Sequence, residues 1–372
     1  MTLDDYGWAP FFARHFEVFL ASAAPGGSGA SEQLVPARVL APGRGLHRLI
    51  AASGLLSATL AGRLEASGEV PAVGDWVAVD AGASPADRPV IRAILPRHTC
   101  LRRKAAGART EEQVLAANVD LALLVLGLDG DFSPRRLERF AVLARAGGAD
   151  AAVLLTKADL LAGRAPELAD RIAAARAAAP GLPVLPVSSV TPDGLEPLAP
   201  YLEPGRTLVL LGSSGVGKST LVNRLAGRDL LATAAVRAHD DRGRHTATHR
   251  ELIRLPGGAL LVDGPGLREV QLWLDGDEEG SLAEAFADVE ALARGCRFRD
   301  CTHRHEPGCA VRRAMEEGEL DPGRLEGLRK IEREVAALER RRDPVEARRR
   351  ERELGVLYRR IQREKRGREQ EP

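Results

Sequence analysis

Short apolar runs broken by turn residues fill the chain between residues 34 and 101. Several runs alternate apolar and polar positions, as strands with one buried face do. The five runs are 37–40, 46–50, 56–60, 76–79 and 90–94. Five short strands in this length predict a small β-barrel of the oligonucleotide-binding (OB) kind, with another small all-β module as the alternative.

The pattern changes after residue 105, where predicted strands alternate with predicted helices. The strands are expected at 119–128, 151–155, 184–187, 208–211, 251–255 and 259–262. The helices are expected at 134–146 and 165–179 and from Lys218 onward. This alternation predicts a largely parallel, doubly wound α/β sheet, in which ligands bind at the carboxyl ends of the strands.

Composition limits the class of protein. A chain of 372 residues exceeds one comfortable hydrophobic core, so two or three domains are expected. The net charge of +1 gives no overall attraction to nucleic acid, so any basic surface has to be local. No apolar run approaches the length of a membrane span, and acidic residues near the start are unlike a signal peptide. We therefore expect a cytoplasmic protein without membrane contact.

These patterns predict a multidomain chain with five segments. Residues 1–34 form an N-terminal segment that ends in a flexible linker at 21–34, residues 35–105 form the barrel, and residues 106–275 form the parallel sheet. Residues 276–340 form a helical module with a helix at 325–338, and residues 341–372 form a basic extension. The arginine-rich end is either a solvated helix or a surface for RNA phosphates.

The most specific motif is a phosphate-binding loop between a predicted strand and a predicted helix. It matches G-x-x-x-x-G-K-[ST] and comprises Gly212, Ser213, Ser214, Gly215, Val216, Gly217, Lys218, Ser219 and Thr220. Glycines allow backbone N–H groups to surround the phosphates. Lys218 is expected to reach the β and γ phosphates, and the Ser219 hydroxyl is expected to bind Mg²⁺.

Two further segments belong to the phosphate side of such a site. Asp263-Gly-Pro-Gly266 follows a predicted strand, and although this is an ordinary turn sequence by itself, its position after the phosphate-binding loop assigns it a role. Asp263 is expected to bind magnesium, and Gly266 is expected to face the γ-phosphate. The intervening segment contains the place of a magnesium-binding switch threonine, for which Thr248 is favoured over Thr246.

Residues after two earlier strands are expected to bind guanine. Thr156, Lys157, Ala158 and Asp159 resemble the Asn-Lys-x-Asp motif of GTPases. A carboxylate at Asp159 accepts hydrogen bonds from the guanine N1–H and amino group, which adenine does not present in that pattern. Thr156 stands in place of asparagine, so an amide contact is lost, although its hydroxyl can still connect loops. Ser188 and Ser189 resemble the segment that supports the base.

The order of these motifs indicates a circular permutation. In ordinary GTPases the phosphate-binding loop precedes the guanine-binding motif, whereas in this chain it follows that motif. A permuted chain can keep every loop at the same edge of the sheet. The permutation also places the segment after Asp263 directly before the C-terminal module, so a switch loop could act on that module.

The catalytic group has to be something other than the usual glutamine. Leu267 occupies the position where many GTPases carry a glutamine that orients the attacking water. His245 is the best nearby polar group, as water positioner or proton acceptor, because imidazole titrates near neutral pH. A solvated loop histidine is the alternative.

Three cysteines and a histidine lie close together near the C-terminal end. Cys296, Cys301, His303 and Cys309 supply three thiolates and one imidazole within 14 residues. This ligand set suits tetrahedral Zn²⁺, and a site with four protein ligands is structural. One zinc ion per chain is predicted, and His305 is a rival ligand.

Together the motifs resemble the RsgA/YjeQ family of circularly permuted GTPases that depend on the small ribosomal subunit. The likeness extends from Gly74-Asp75-Trp76-Val77 to Cys309, and the zinc spacing and the Gly-x-His-Thr-x-Thr segment are its specific parts. It implies an OB barrel, a permuted GTPase domain and a zinc-binding domain that act together in late maturation of the small subunit. It also implies a catalytic histidine at His245. Ala247 and the arginine-rich end depart from the family pattern.

The resulting expectation is a Mg²⁺-dependent GTPase that converts GTP to GDP and phosphate. Its expected partners are the small ribosomal subunit and its rRNA, and we expect the chain to be a monomer. An RNA-binding assembly scaffold with a passive GTP site is the main alternative. A phosphate-binding-loop ATPase or kinase is a third reading, against which Asp159 argues.

Overall fold

The structure is a computed structural model that describes residues 2–23, 34–82, 88–104, 112–230, 250–263 and 278–342. These residues form a barrel, a hairpin, a six-stranded sheet and a group of C-terminal helices. Most of the predicted basic extension at 341–372 lies outside the described residues.

The five predicted barrel strands form and close into a barrel. They are β1 (Leu34–Ala41), β2 (His47–Ala51), β3 (Gly54–Leu60), β4 (Trp76–Asp80) and β5 (Val90–Ile94). Their order is β1-β2-β3-β5-β4, with antiparallel pairing of β1 and β4 closing the barrel and parallel pairing of β3 and β5. A short helix, α2 (Gly62–Ser67), lies between β3 and β4, and its Leu64 is buried in the barrel core.

An N-terminal helix covers one side of the barrel. Helix α1 (Pro10–Ala23) follows a 3-10 turn at Asp4–Tyr6. The ring of Trp8 lies 4.6 Å from the ring of Trp76 in β4, and Phe12 and Phe16 are buried nearby. The helix continues to Ala23, so the first residues of the predicted linker at 21–34 are helical, and residues 24–33 lie outside the described residues.

A hairpin that the sequence did not reveal connects the barrel to the sheet. Strands β6 (Cys100–Lys104) and β7 (Glu112–Ala117) pair antiparallel. The charged sequence of β6 hides the strand, because three of its five residues are basic. The two strands lie on either side of the boundary predicted at 105/106, and that boundary remains a prediction.

The second half of the chain forms the expected mainly parallel sheet. Its strands are β8 (Leu121–Gly127), β9 (Asp150–Thr156), β10 (Val184–Pro186), β11 (Thr207–Leu211), β12 (Glu251–Arg254) and β13 (Leu260–Asp263). The order is β10-β9-β8-β11-β13-β12, and among these pairs only β12 with β13 is antiparallel. Every residue of β8 is buried, and its side chains alternate between two hydrophobic clusters.

Helices connect the parallel strands, as a doubly wound sheet requires. Helix α3 (Pro134–Ala146) follows β8, α4 (Ala165–Ala178) follows β9 and α5 (Lys218–Ala226) follows β11. A 3-10 helix at Ala158–Leu161 lies directly after β9, and another at Glu196–Tyr201 precedes β11. The loops after β8, β9 and β11 therefore leave the same edge of the sheet, where ligands are expected.

A buried arginine joins the barrel to the sheet. The Arg38 side chain is 1% exposed and donates hydrogen bonds to the Asn118 carbonyl at 3.0 Å and the Thr207 hydroxyl at 2.9 Å. It also donates to the carbonyls of Gly74 and Tyr6. Burial lowers the pKa of Arg38 to about 10, a value at which the side chain stays charged near neutral pH.

In the described residues after the sheet, 278–342, the chain forms four helices. They are α6 (Glu278–Ala285), α7 (Ala287–Ala293), α8 (Ala310–Glu316) and α9 (Pro322–Arg342), and α9 extends beyond the predicted 325–338 at both ends. No helix in the described part of the chain has the length and apolar character needed to cross a membrane.

Arg324 in α9 fixes these helices to the sheet. Its guanidinium lies 2.9 Å from the Asp288 carboxylate and 3.2 Å from that of Glu138 in α3, and it donates to the Ala178 carbonyl at 3.1 Å. It also lies 4.1 Å from the centre of the Phe286 ring. Burial raises the pKa of Glu138, and the charge of Arg324 opposes this shift. The network ties α9 and α7 to α3 and α4.

Candidate nucleotide and metal sites

The phosphate-binding loop connects β11 to α5, as predicted from its sequence. Gly215 and Gly217 have φ angles of 85° and 95°, in the left-handed region that favours glycine. A Cβ atom on Gly212 would lie 2.7 Å from the Val125 carbonyl oxygen, so a side chain does not fit there. The backbone of the loop thus depends on glycine at these positions.

Lys218 opens helix α5 and lies within the curve of the loop. Its ammonium group donates hydrogen bonds to the carbonyl of Gly212 at 2.6 Å and to that of Ser213. Ser219 and Thr220 are half-buried in the first turn of the helix. A cation, a helix N-terminus and a glycine-rich backbone at one place form an arrangement that can bind phosphate groups.

Thr156 connects the guanine-motif loop to the phosphate-binding loop. It ends β9, is 2% exposed, and its hydroxyl lies 3.1 Å from the Leu126 carbonyl oxygen and 2.5 Å from that of Val216. The hydroxyl therefore performs the loop-connecting role expected of it, without the amide that asparagine would provide.

Asp159 lies in the 3-10 helix after β9, beside the loop that follows β10. The Ser188 hydroxyl donates a 2.6 Å hydrogen bond to the Asp159 carboxylate, and the Ala158 N–H donates to the Val187 carbonyl at 3.1 Å. Ser188 is buried and Ser189 is half-buried. The serine segment thus orients the carboxylate that was predicted to bind guanine.

Asp129 contacts the nucleotide loops, although the sequence reasoning missed it. The Lys157 ammonium forms an ion pair with Asp129 and donates a hydrogen bond to the Gly215 carbonyl at 2.7 Å. Burial raises the pKa of Asp129, but the hydrogen bonds from Lys157 and from the Asp131 N–H, together with the charge of Lys157, outweigh burial and lower it. Asp129 therefore holds Lys157 between the guanine-motif loop and the phosphate-binding loop.

Asp131 holds the start of the phosphate-binding loop. It accepts a 2.7 Å hydrogen bond from the Ser213 hydroxyl and pairs with Arg136 at 2.5 Å. Hydrogen bonds from Arg136 and Ser213 lower the pKa of Asp131. A usable signal was present, because the Asp-Gly-Asp sequence at 129–131 follows the carboxyl end of a buried strand.

Part of the predicted phosphate side is outside the described residues. Asp263 ends β13, which pairs in parallel with β11, and it is half-buried. The described residues do not include His245, Thr246, Thr248, Gly266 and Leu267. The structure therefore brings the guanine-motif and phosphate loops together and leaves the switch and catalytic assignments as predictions.

The four predicted metal ligands converge. The Cys296 sulfur lies 3.9 Å from the Cys309 sulfur, and His303 Nδ1 lies 3.6 Å from the first and 3.4 Å from the second. All four ligand atoms, including the Cys301 sulfur, lie within 4.8 Å of one another. Tetrahedral zinc with bonds of ~2.0 to 2.3 Å separates its ligands by ~3.5 to 3.8 Å. The cluster therefore fits such an ion, and the rival His305 is not part of it.

The loop that carries His303 is held by a carboxylate. Glu306 accepts backbone hydrogen bonds from Thr302 at 2.9 Å, Arg304 at 2.8 Å and His305 at 3.0 Å. The hydrogen bond from the Thr302 hydroxyl is the main cause of the lowered pKa of Glu306. His303 itself has a φ of 58°, so its backbone is in the left-handed region. These contacts define the turn that directs His303 toward the cysteines.

The neighbouring thiols affect one another's ionisation. Burial, together with the adjacent Cys309 and Cys296 sulfurs, raises the pKa of Cys301 to about 11. Burial has the opposite effect on His303, whose pKa it lowers, so the neutral imidazole is favoured. Neutral imidazole is the form that binds metal, and a bound divalent cation would stabilise the thiolates.

The fold and these loops define a phosphate-binding-loop GTPase whose guanine-motif sequence precedes its phosphate-binding loop. The family described as RsgA GTPase matches residues 94–273. The chain is 47% identical over 359 residues to the "Small ribosomal subunit biogenesis GTPase RsgA" of Opitutus terrae, covering 94% of each chain. The chain belongs to the RsgA GTPase family and is a GTP hydrolase.

Solved structures share the fold. YjeQ from Thermotoga maritima is 24% identical with a TM-score of 0.58, and the match covers 82% of this chain and 99% of that one. YloQ, described as a circularly permuted GTPase, is 26% identical with a TM-score of 0.56, and the match covers 84% of this chain and 96% of that one. The family match, the Opitutus terrae relative and these structures together confirm the resemblance to the RsgA/YjeQ family.

Proposed function

We propose that this GTPase binds the small ribosomal subunit and assists its late maturation, coupling that step to hydrolysis of GTP. The observation that carries the proposal is the 47% identity, over 94% of both chains, to a relative named for small ribosomal subunit biogenesis. The geometry supports it, because Thr156 and Lys157 join the guanine-motif loop to the phosphate-binding loop in one site.

The nucleotide would lie along the carboxyl edge of the sheet. Its guanine base would contact Thr156, Lys157, Ala158, Asp159, Ser188 and Ser189, and its phosphates would contact Gly212 to Thr220 and Gly266. Ser219, Thr248 and Asp263 would hold Mg²⁺, for which hydroxyl and carboxylate oxygens are suitable ligands. When bound, the ion neutralises charge on the phosphate oxygens.

His245 is proposed as the residue that positions the attacking water. His245→Ala is expected to lower the turnover of GTP in the presence of small subunits by about 10²-fold, because general-base or water-positioning groups contribute rate factors of this size. Nucleotide affinity should stay within about twofold, since the side chain acts on the water and not on GTP binding. Steady-state turnover and fluorescent-nucleotide binding measure the two quantities.

His239→Ala is the matched control for that variant, because it removes another histidine from the same stretch of sequence. It should retain wild-type turnover. Equal turnover in the His245 and His239 variants would exclude the proposed role of His245.

The barrel is proposed as an OB module that contacts rRNA, with the boundaries 35–105, 106–275 and 276–340 for the three domains. Co-sedimentation with purified small subunits tests the partner directly. The protein should pellet with small subunits in the presence of a non-hydrolysable GTP analogue and much less with large subunits. Equal pelleting with both would contradict a specific small-subunit partner.

We infer that the Cys296, Cys301, His303 and Cys309 cluster holds one structural Zn²⁺. Cys301→Ser is expected to reduce the zinc content of purified protein from about one equivalent to less than half, because a serine hydroxyl is a poor zinc ligand. Metal analysis by mass spectrometry measures this. Cys100→Ser provides the control, since Cys100 lies outside the cluster and should leave zinc unchanged. Equal zinc in both variants would contradict the assignment.

A further inference from the structure

A cleft of about 770 Å³ lies where the barrel meets the β6–β7 hairpin and the residue before β12. This volume is within the range of about 300 to 1,000 Å³ that is typical of small-ligand sites. Its walls combine apolar side chains with guanidinium groups, among them Val70, Pro71, Ile94, Arg97, Arg102 and Arg250. The cleft is separate from the nucleotide loops and from the cysteine cluster.

Two of the three arginines already have carboxylate partners. Arg97 forms two hydrogen bonds to Asp75, at 2.7 and 2.8 Å. Arg102 lies 3.1 Å from the carboxylate of Glu112. Glu69, the other acid in the lining, is exposed to solvent at the edge. The positive charge of the cleft is therefore concentrated at its third arginine.

Arg250 is a partly buried cation that lacks a counter-ion in the described part of the chain. Among the described residues no carboxylate contributes to its pKa, and its buried Nε atom has no hydrogen-bond partner there. Its one described hydrogen bond goes to the Val114 carbonyl at 3.2 Å. Burial and the nearby charge of Arg103 lower the pKa of Arg250 to about 10. Buried donors without partners are rare, and an uncompensated buried charge is destabilising.

We propose that the cleft binds one nucleotide unit of an RNA strand, with a backbone phosphate at the Arg250 guanidinium. A guanidinium presents parallel N–H donors that match two phosphate oxygens, so a phosphate would supply both the missing acceptor and the missing negative charge. The apolar walls at Val70, Pro71 and Ile94 suit the sugar and base of the same unit. This inference depends on the proposed function in one respect, which is that the partner is expected to be RNA.

The position of Arg250 connects this site to the proposed catalytic segment. Arg250 directly precedes β12 and follows His245 by five residues in the sequence. RNA bound at Arg250 would therefore contact the chain five residues in sequence after the proposed catalytic histidine.

Arg250→Met in the full chain tests the phosphate contact. Binding of a labelled single-stranded RNA oligonucleotide should weaken by about tenfold, and the slope of log Kd against log salt concentration should fall by about 0.7 to 1. The melting temperature should not fall, because the substitution removes an unpaired buried charge. Arg176→Met, at an exposed arginine on α4, is the control and should change none of these values. A lower melting temperature with unchanged RNA affinity would mean a structural role and would overturn the proposal.

A second pair of variants tests the cleft without altering Arg250. Val70 is 62% exposed and Val18 on α1 is 60% exposed, so both accept a charged side chain without disturbing the core. Val70→Glu places a negative charge in the cleft and should weaken RNA binding severalfold relative to Val18→Glu. Equal RNA affinity in the two variants would overturn the proposal.

Inorganic phosphate distinguishes RNA from a free anion. One outcome is that millimolar phosphate raises the melting temperature of the wild-type protein and leaves that of Arg250→Met unchanged, while the two proteins bind RNA with equal affinity. That result would mean that the site binds a free anion, and it would overturn the RNA proposal. Wild-type GTP turnover with small subunits is measured in parallel. If small subunits stimulate turnover, but Arg250→Met and Val70→Glu bind RNA as tightly as the wild type, this inference is overturned and the proposed function is left intact.

Discussion

Asp159→Asn should weaken GTP binding by about 10³-fold and create a preference for xanthosine triphosphate. The reason is that a binding site arranged to form a particular hydrogen bond discriminates strongly against a ligand that cannot form that bond. In the proposed guanine site the carboxylate of Asp159 would accept hydrogen bonds from the guanine N1–H and amino group. An asparagine amide would direct N–H donors at that amino group. Xanthine carries a carbonyl oxygen there, so its pattern matches the amide.

Competition between GTP and xanthosine triphosphate for a fluorescent nucleotide measures this exchange. The fold should survive, because the Ser188 hydroxyl that donates to Asp159 at 2.6 Å can donate equally to an amide oxygen. Asp193→Asn is the control, since Asp193 is exposed in the loop that follows Ser188. If Asp159→Asn binds GTP with wild-type affinity, the proposed role of Asp159 in guanine recognition is wrong.

Arg324→Met is expected to lower the free energy of unfolding by about 3 kcal/mol, because it removes the buried cation that pairs with the buried Glu138 carboxylate. Arg135, which lies 3.4 Å from the same carboxylate, is more exposed and compensates only part of its charge. Glu138 is 2% exposed, and the Arg324 side chain also holds Asp288 and the Ala178 carbonyl. Urea unfolding followed by circular dichroism measures the change. The largest loss should appear in the transition that separates the C-terminal helices from α3.

Two comparisons isolate the buried charge as the cause. Arg333→Met changes an exposed arginine on the same helix and should cost less than about 0.5 kcal/mol. Adding Glu138→Gln to Arg324→Met should recover part of the loss, because it removes the buried carboxylate charge that has lost its pairing with Arg324. No recovery in the double variant would assign the stabilisation to packing against Phe286 instead.

The sequence was most informative where local pattern and structure coincide. The five barrel strands follow alternating runs, and helix α3 spans the predicted 134–146 because Pro134 suits a helix start and Gly147 follows its last residue. The phosphate-binding loop could be placed because its glycines and Lys218 are contiguous. Strand β6 could not be predicted, because its basic side chains obscure the apolar pattern.

Contacts between distant residues could not be read from the sequence. Asp129 is 28 residues from Lys157, and Asp131 is 82 residues from Ser213. Each pair meets only because β8, β9 and β11 are neighbours in the sheet. The metal ligands could be predicted because they are close in sequence, but the choice between His303 and His305 required the loop geometry that Glu306 fixes.

GTP turnover by the wild-type protein with purified small subunits, with large subunits and without subunits tests the central claim most directly. The account predicts that small subunits raise turnover at least about tenfold, a lowering of the barrier by about 1.4 kcal/mol, and that large subunits do not. Unchanged turnover with small subunits to which the protein demonstrably binds would contradict it, and would instead indicate an RNA-binding scaffold with a passive GTP site.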